Sequence, residues 1–364
     1  MQIIHEQRIS TLRSEFDKRK IDALIISHVP HVAYLTGFTG SSAMLVLTRS
    51  AVHFLTDGRY TEQARQEIVA LSNLSVHIER EWWKFVHEKK LLEGARNVGF
   101  EASHVSVAAA EVMKKTVEGR EWQPLVGMVE AVVMVKTRDE ADAIREAAGI
   151  AAKVYDHVLR TTKAGMTEND VAAEVAYISK KLGSEGEGFE TIVASGVRGA
   201  LPHGRATNKV IEHGELVTLD FGCRSRGFYS DMTRTFAVGE PSLFDRAIFE
   251  LVLRANKAAI AVAKGGMKVA ELDTVAREII KEAGYGEEFA HGLGHGLGRE
   301  VHEKPGVSYR FPDDVAPVGA VITIEPGVYL SERCGVRVED DVWLTETGCE
   351  VLTDATPKHL VIVE

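Results

Sequence analysis

Residues 217–236 read VTLDFGCRSRGFYSDMTRTF. Strand-forming residues dominate both flanks of the central CRSRG, so the stretch predicts a β-hairpin. Folding it about Ser225 and Arg226 sets Asp220 opposite Asp231, and a one-residue slip allowed by Gly227 leaves the two as diagonal neighbours. Like charges about 4.5 to 5.5 Å apart across a ladder are destabilising unless something compensates them. A second strand pair repeats the pattern: ITIEPG carries Glu325, VRVEDD carries Glu339, and the polar SERC lies between them. Asp340 and Asp341 adjoin Glu339, and spacing alone does not choose among the three; Glu339 is taken because it alternates in phase with Arg337. Four carboxylates on two hairpins, joined by one imidazole, form an oxygen-rich donor set suited to a pair of divalent ions such as Mn²⁺, Co²⁺ or Zn²⁺. His295 is the natural fifth ligand.

His295 belongs to HGLGHGLG, residues 291–298. The lysine and hydroxyl of a phosphate-binding P-loop do not follow it, and its glycines recur with period two rather than in the GxGxxG spacing of a dinucleotide site. If the segment is extended, His291, Leu293, His295 and Leu297 share one face and the glycines the other, where a second backbone can approach closely. Two residues four apart on a strand are separated by about 13 Å, so at most one of these histidines binds an ion directly. By itself the motif is equally compatible with a flexible glycine loop.

Around these motifs lies a chain of 364 residues with a formal charge of −10 and 45% hydrophobic residues, long enough for two domains. The charge and the lack of a basic tract argue against nucleic acid as a partner. No segment approaches 18 consecutive apolar residues, and the N-terminal MQIIHEQRISTLRSEF reads as an amphipathic helix rather than a signal peptide. A cytoplasmic protein without membrane contact is therefore expected. Cys223, Cys334 and Cys349 are too scattered for a disulfide framework and are read as reduced thiols. Up to about residue 130, short strands (DALIISH, AMLVLT, AVHFLT, NVGFEA) alternate with helical segments, as in a small α/β domain. Long helical patterns then take over, which places a boundary near residues 130–137 and divides the chain into domains 1–132 and 133–364. The second domain has two helical stretches, LFDRAIFELVLRANKAAIAVAK and VAELDTVAREIIKEAG, and the two strand pairs hint at an internal duplication.

The motifs in this order resemble those of the pita-bread metallopeptidases, in the X-Pro branch that contains aminopeptidase P and prolidase. The matching elements are LDFG at Asp220, YSDMTRTF at Asp231, HGLGHGLG at His295, TIEPGVY at Glu325 and GVRVEDD at Glu339. YLTGFTGS from Tyr34 and TDGRYTEQA from Thr56 are similar to the family's smaller, creatinase-like α/β domain, so the resemblance covers nearly the whole chain. It implies an α/β (α+β) protein in which that domain precedes a pita-bread domain of pseudo-twofold duplicated strand pairs flanked by helices. It implies two divalent metal ions, most readily Mn²⁺, bridged by Asp231 and Glu339, with Asp220 on one ion and His295 and Glu325 on the other. His203, His291 and His302 match substrate-handling and proton-transferring positions, Arg337 a site-supporting arginine that can meet substrate, and Tyr329 a supporting position behind the ligands. The implied reaction is hydrolysis of the bond between an N-terminal residue and proline, with Glu325 moving a proton, in an enzyme that often forms homodimers. The alternatives are a metal-free creatinase-like amidinohydrolase, a methionine aminopeptidase and a non-catalytic binding protein on the same fold. Intact residues at all five ligand positions weigh against the first and last, and the long N-terminal domain weighs against the second.

Overall fold

A computed structural model describes residues 2–364, in two compact units that divide between Val133 and Met134. The first unit is built on a six-stranded sheet in the order Leu74–Ile78, Val52–Thr56, Met44–Thr48, Ala23–Ile26, Asn97–Glu101, Glu121–Leu125. Met44–Thr48 runs antiparallel to both neighbours, and the remaining pairs are parallel. Strand residues 23–26, ALII, show why both faces must be covered. Leu24 and Ile26 pack with Ile9, Leu12 and Phe16 of the N-terminal helices, whereas Ala23 and Ile25 pack with Val86 and Met113 of helices on the other face. A continuous apolar run, rather than an alternating one, is what a strand buried on both sides requires.

The second unit repeats one arrangement. Helices Arg138–Thr161 and Glu168–Lys181 pack on a four-stranded sheet ordered Ile362–Val363, Met232–Val238, Glu215–Phe221, Ile192–Ser195. Helices Leu243–Val262 and Val269–Glu282 pack on a five-stranded sheet ordered Glu303–Val307, Gly294–Gly296, Val321–Ile324, Asp340–Leu344, Cys349–Val351. Both helices of the first pair start in a capping box, Thr137 with Glu140 and Thr167 with Asp170, which satisfies amide groups that a helix N-terminus otherwise leaves bare. Among the described residues, no helix is long and apolar enough to cross a membrane. All three cysteines are free thiols.

The first hairpin turns one residue later than its sequence suggests. Ser225 pairs with Phe228, leaving Arg226 and Gly227 as the turn, both at positive φ, 50° and 75°. A two-residue hairpin turn of the primed type needs positive φ at both centres, and glycine adopts it at no steric cost. The register is thereby shifted: Asp220 faces Thr233, and Asp231 is its diagonal neighbour. Here and in the second hairpin the ladder is interrupted. Val321–Ile324 pairs with Asp340–Leu344, and Gly327–Leu330 pairs with Cys334–Arg337 in the same register. Between those two ladders, Glu325 stands opposite Glu339. Asp231 occupies the corresponding break in the first hairpin, next to the amide of Ser230, which donates to Cys223 O.

The HGLGHGLG segment is extended only over Gly294–Gly296, with an irregular register there. The expectation that its histidines and leucines share a face fails for this reason. Leu293 and Leu297 are fully buried in separate apolar clusters, whereas His291 and His295 line a cavity. The glycines do permit close backbone approach: a Cβ on Gly294 would lie 2.1 Å from Thr323 O, and one on Gly296 would lie 2.2 Å from Lys304 O. Gly294→Ala is thus expected to destabilise the fold by about 1–3 kcal/mol, the usual cost of overpacking. Gly149→Ala, inside the helix Arg138–Thr161 with nothing within 4 Å of the new methyl, should stabilise it by roughly 0.5–1 kcal/mol. Denaturant melts of the two variants check both signs.

Candidate metal centre

A cavity of about 290 Å³ gathers Asp220, Asp231, His295, Glu325, Glu339, His203, His291, His302 and Arg337 in its walls, together with Tyr329, Phe189 and Ile192. Every site residue named from the sequence therefore lies on one cavity. Asp220 comes from the strand Glu215–Phe221, Asp231 and the two glutamates from the hairpin breaks, and His295 from the short glycine-flanked strand. The Nε2 of His295 lies 3.4 Å from Glu325 Oε1 and 3.6 Å from Asp231 Oδ2. Its Nδ1 is 3.1 Å from Gly296 O, which assigns the proton to Nδ1 and aims the Nε2 lone pair at the carboxylates. Ligand atoms of Asp231, His295 and Glu339 all fall within 4.8 Å of one another.

Asp340 and Asp341, which spacing left open, have other duties. Arg234 donates to Asp340 Oδ1 at 2.9 Å and Lys358 lies 2.8 Å from its Oδ2. Burial alone would raise the Asp340 proton affinity, yet these two cations hold it below the ordinary carboxylate range. Asp341 accepts the backbone N–H of Asp231 at 3.0 Å and so fixes the first hairpin's break against the second hairpin.

Arg337 is the hub of the cavity floor. It is only 3% exposed, and it donates to Asp220 Oδ2 at 2.6 Å, Thr233 Oγ1 at 2.9 Å, Tyr329 Oη at 2.8 Å and Pro202 O at 3.0 Å. A guanidinium has five N–H donors, so these bonds leave little for a substrate group; the arginine organises the site from behind. Tyr329 Oη donates a hydrogen bond to His291 Nε2, 2.9 Å away, while His291 Nδ1 lies 2.7 Å from Gly292 O. Thr233, opposite Asp220, donates to Glu339 Oε2 at 2.6 Å. Sequence reading passed over Thr233, although it follows Asp231 by two residues and so shares its strand face. It also passed over Asp273 and Arg277, a helical i, i+4 pair that grips the glycine segment: Arg277 donates to His291 O at 2.7 Å, and Asp273 accepts from Leu293 N at 2.9 Å.

Four carboxylates face one guanidinium, an excess of three negative charges if all are ionised. Burial pushes Asp231 and Glu339 well above the usual carboxylate range, and their acidic neighbours add to it. Burial raises Glu325 as well. His291 and His295 are pushed down by burial, and His302 is pushed down to about 4 by burial and by His295 beside it. Asp220 Oδ1 and Asp231 Oδ1 are buried and accept no hydrogen bond. Orphaned buried oxygens beside an imidazole, in a cluster with excess negative charge, fit divalent cations: these supply the missing coordination and charge together.

The amino-acid sequence matches Metallopeptidase family M24 over residues 142–346 and the Creatinase/Prolidase N-terminal domain over residues 8–135. The chain belongs to this metallopeptidase family, and the family implies divalent metal ions. It is 38% identical to the Xaa-Pro dipeptidase of Pyrococcus horikoshii, over 98% of this chain and 99% of that protein. Its fold superposes on the Xaa-Pro dipeptidase from Bacillus anthracis with a TM-score of 0.94 and 38% identity, over 99% of this chain and 100% of the other. The X-Pro aminopeptidase from Thermotoga maritima is also similar, with a TM-score of 0.87 and 36% identity over 94% and 98% of the two chains. The creatinase-like α/β domain followed by a duplicated helix-and-sheet catalytic domain is thus the architecture of this chain.

Carboxylates with raised affinity keep protons that an unfolded chain releases, so in metal-free protein they cost stability as pH rises past the ordinary carboxylate range of about 4. Chelator-treated protein is expected to lose Tm between about pH 4.5 and about pH 7 relative to a Glu339→Gln variant, whose side chain cannot ionise. Parallel Tm curves for the two proteins across that range would contradict the electrostatic account.

Proposed function

We propose that this metallopeptidase cleaves the peptide bond between an N-terminal residue and proline, using the unit from residue 133 to 364 for chemistry. The observation that carries the reading is the convergence of Asp220, Asp231, His295, Glu325 and Glu339 on one cavity whose buried oxygens lack partners. We assign these five side chains as the residues that would hold two divalent ions, with ligand atoms of Asp231 and Glu339 grouped within 4.8 Å of His295 and of each other. Hard oxygen donors with a single imidazole favour Mn²⁺, with Co²⁺ and Zn²⁺ as substitutes. Such ions, when bound, supply Lewis acidity: they polarise a carbonyl and acidify water.

The protein's own groups do the rest. Glu325, whose proton affinity burial raises, carries a proton toward the departing proline nitrogen. His302, held neutral by its surroundings, donates to the oxygen on which charge develops, while His291, whose two ring nitrogens are engaged by Tyr329 Oη and Gly292 O, stands fixed on the cavity wall beside the substrate. His203, exposed on the cavity wall, meets the substrate. Phe189 and Ile192 give the pocket an apolar side for a pyrrolidine ring. A proline nitrogen carries no N–H in peptide linkage, so an enzyme that recognises a ring instead of an amide hydrogen is suited to it. Arg337 acts as a positioning residue through Asp220, Thr233 and Tyr329. A homodimer in the cytoplasm completes the proposal, and sedimentation of purified protein tests the dimer.

Mn²⁺- or Co²⁺-loaded protein should hydrolyse an X-Pro dipeptide or an X-Pro-Y tripeptide, and the ratio of rates defines the preferred length; inactivity on both refutes the X-Pro reading. His302→Ala is expected to retain its metal and lose about 10²- to 10⁴-fold in kcat, the range for a proton-handling group. Asp231→Ala should lose metal and turnover together. Full metal content and activity in Asp231→Ala would remove it from the ligand set.

A further inference from the structure

The first unit contains a second group of metal-binding side chains, far from the carboxylates in sequence. His28, His31 and His104 present ring nitrogens that all lie within 4.8 Å of one another. The topology explains how they meet. Ala23–Ile26 and Asn97–Glu101 are adjacent parallel strands in the interior of the sheet. His28 precedes the helix that follows the first strand, His31 lies in that helix, and His104 lies in the loop that follows the second. The C-terminal ends of neighbouring parallel strands are where open α/β sheets commonly bind ligands.

Glu101 prepares one of the three rings. It is 4% exposed, and its Oε2 accepts the backbone N–H groups of Ser27 and His28 at 2.7 and 2.9 Å. Its Oε1 lies 2.5 Å from His31 Nδ1. With the proton fixed on Nδ1 by a carboxylate, Nε2 of His31 is left as a lone-pair donor, and this is the arrangement that orients and strengthens a histidine ligand. Glu130 adds negative charge near His104, 3.6 Å from its Nε2 and beyond hydrogen-bond reach. The rings crowd one another: His28 and His104 stack with centroids 3.6 Å apart, and His31 meets each of them edge-on at 4.6 and 5.2 Å. Burial and the neighbouring imidazoles also lower the proton affinity of His104.

We propose that His28, His31 and His104 bind one transition-metal ion of the zinc class in the N-terminal unit, separate from the catalytic pair. Three neutral imidazoles form a borderline-soft set that suits Zn²⁺, Co²⁺ or Ni²⁺ rather than Mg²⁺ or Ca²⁺. Tetrahedral binding at 2.0–2.1 Å needs nitrogens about 3.4 Å apart, so the cluster must close by roughly an ångström, and the partly exposed His104 ring can supply that movement. The fourth position falls to water. An ion held only by the folded unit stabilises that unit.

The test uses the full-length chain loaded with Zn²⁺, freed of excess ion by gel filtration, and analysed for metal. Wild type should hold one more equivalent per chain than His28→Ala/His104→Ala, with X-Pro hydrolysis unchanged between them. Single His104→Ala, at a solvent-facing loop position, guards against misfolding of the double variant and should lose the same equivalent. Glu101→Gln should weaken Zn²⁺ binding at this site about tenfold, as loss of an orienting carboxylate does. With Co²⁺, wild type minus His104→Ala should give a visible difference band typical of an imidazole site of low coordination number, beyond what the catalytic pair contributes to both proteins. Equal Zn²⁺ content in wild type and the histidine variants, or Co²⁺ spectra of wild type and His104→Ala that superimpose, overturns the proposal.

Discussion

Charge compensation around buried carboxylates is the constraint on which the catalytic unit depends. Asp220, Asp231 and Glu339 are each less than a tenth exposed, and only Arg337 stands among them as a fixed cation. Ionised groups removed from water cost several kcal/mol apiece unless paired, so this unit has to meet the cost with cations, protons or both. Asp220 has the guanidinium and Glu339 has Thr233; Asp231 has an oxygen with no partner at all. The residual demand is concentrated where His295 points its free nitrogen, which is where a divalent ion would answer it.

The scaffold holds that demand in place by means that do not touch the cavity. Each hairpin breaks its ladder at the acids, so strands that are otherwise apolar can present carboxylates to one point. The breaks are pinned together by Asp341, which accepts Asp231 N–H, and by Arg234, which spans Asp340, Thr356 and the carbonyl of Glu339. Arg277 and Asp273 anchor the backbone on either side of Gly292, and glycines let the segment lie directly on Thr323 and Lys304. A methyl at either contact would move the chain that carries His295, so these glycines bear on the site through distance alone.

Much of this was legible in the sequence because charge and periodicity conflict there. An aspartate within VTLDFG or a glutamate within ITIEPG breaks a strong strand pattern, and a broken pattern marks a place where something other than local preference decides. The strands and long helices followed from apolar spacing in the same way. What stayed hidden depends on contacts between segments far apart in the chain. Spacing could not tell Glu339 from Asp340 and Asp341, since the difference lies in partners that approach from elsewhere: Arg234 and Lys358 at Asp340, and the Asp231 N–H at Asp341. Arg337 was expected as a site-supporting arginine, but that it acts through Asp220 and Tyr329 depends on strands that spacing does not relate. The hairpin register was left open by one residue because the positive φ of Arg226 is not visible in its side chain. The histidines of the first unit went unread because parallel strand pairing, not spacing, brings residues 28 and 104 together.

Proton and cation compete for the same oxygens, and burial strengthens both sides of that competition. Low dielectric raises the proton affinity of Asp231 and Glu339, and it equally strengthens their attraction for a divalent charge. As pH falls the acids satisfy themselves with protons and the demand for an ion weakens; as pH rises the ion becomes the only remedy short of unfolding. A protein arranged in this way gains stability from its cation in the pH range where the carboxylates must be ionised to serve as ligands. Its folding and its capacity for chemistry are therefore linked through one set of side chains, and a substitution that relieves the charge, such as an amide for Glu339, would stabilise the metal-free chain while removing the reason for the cation to bind.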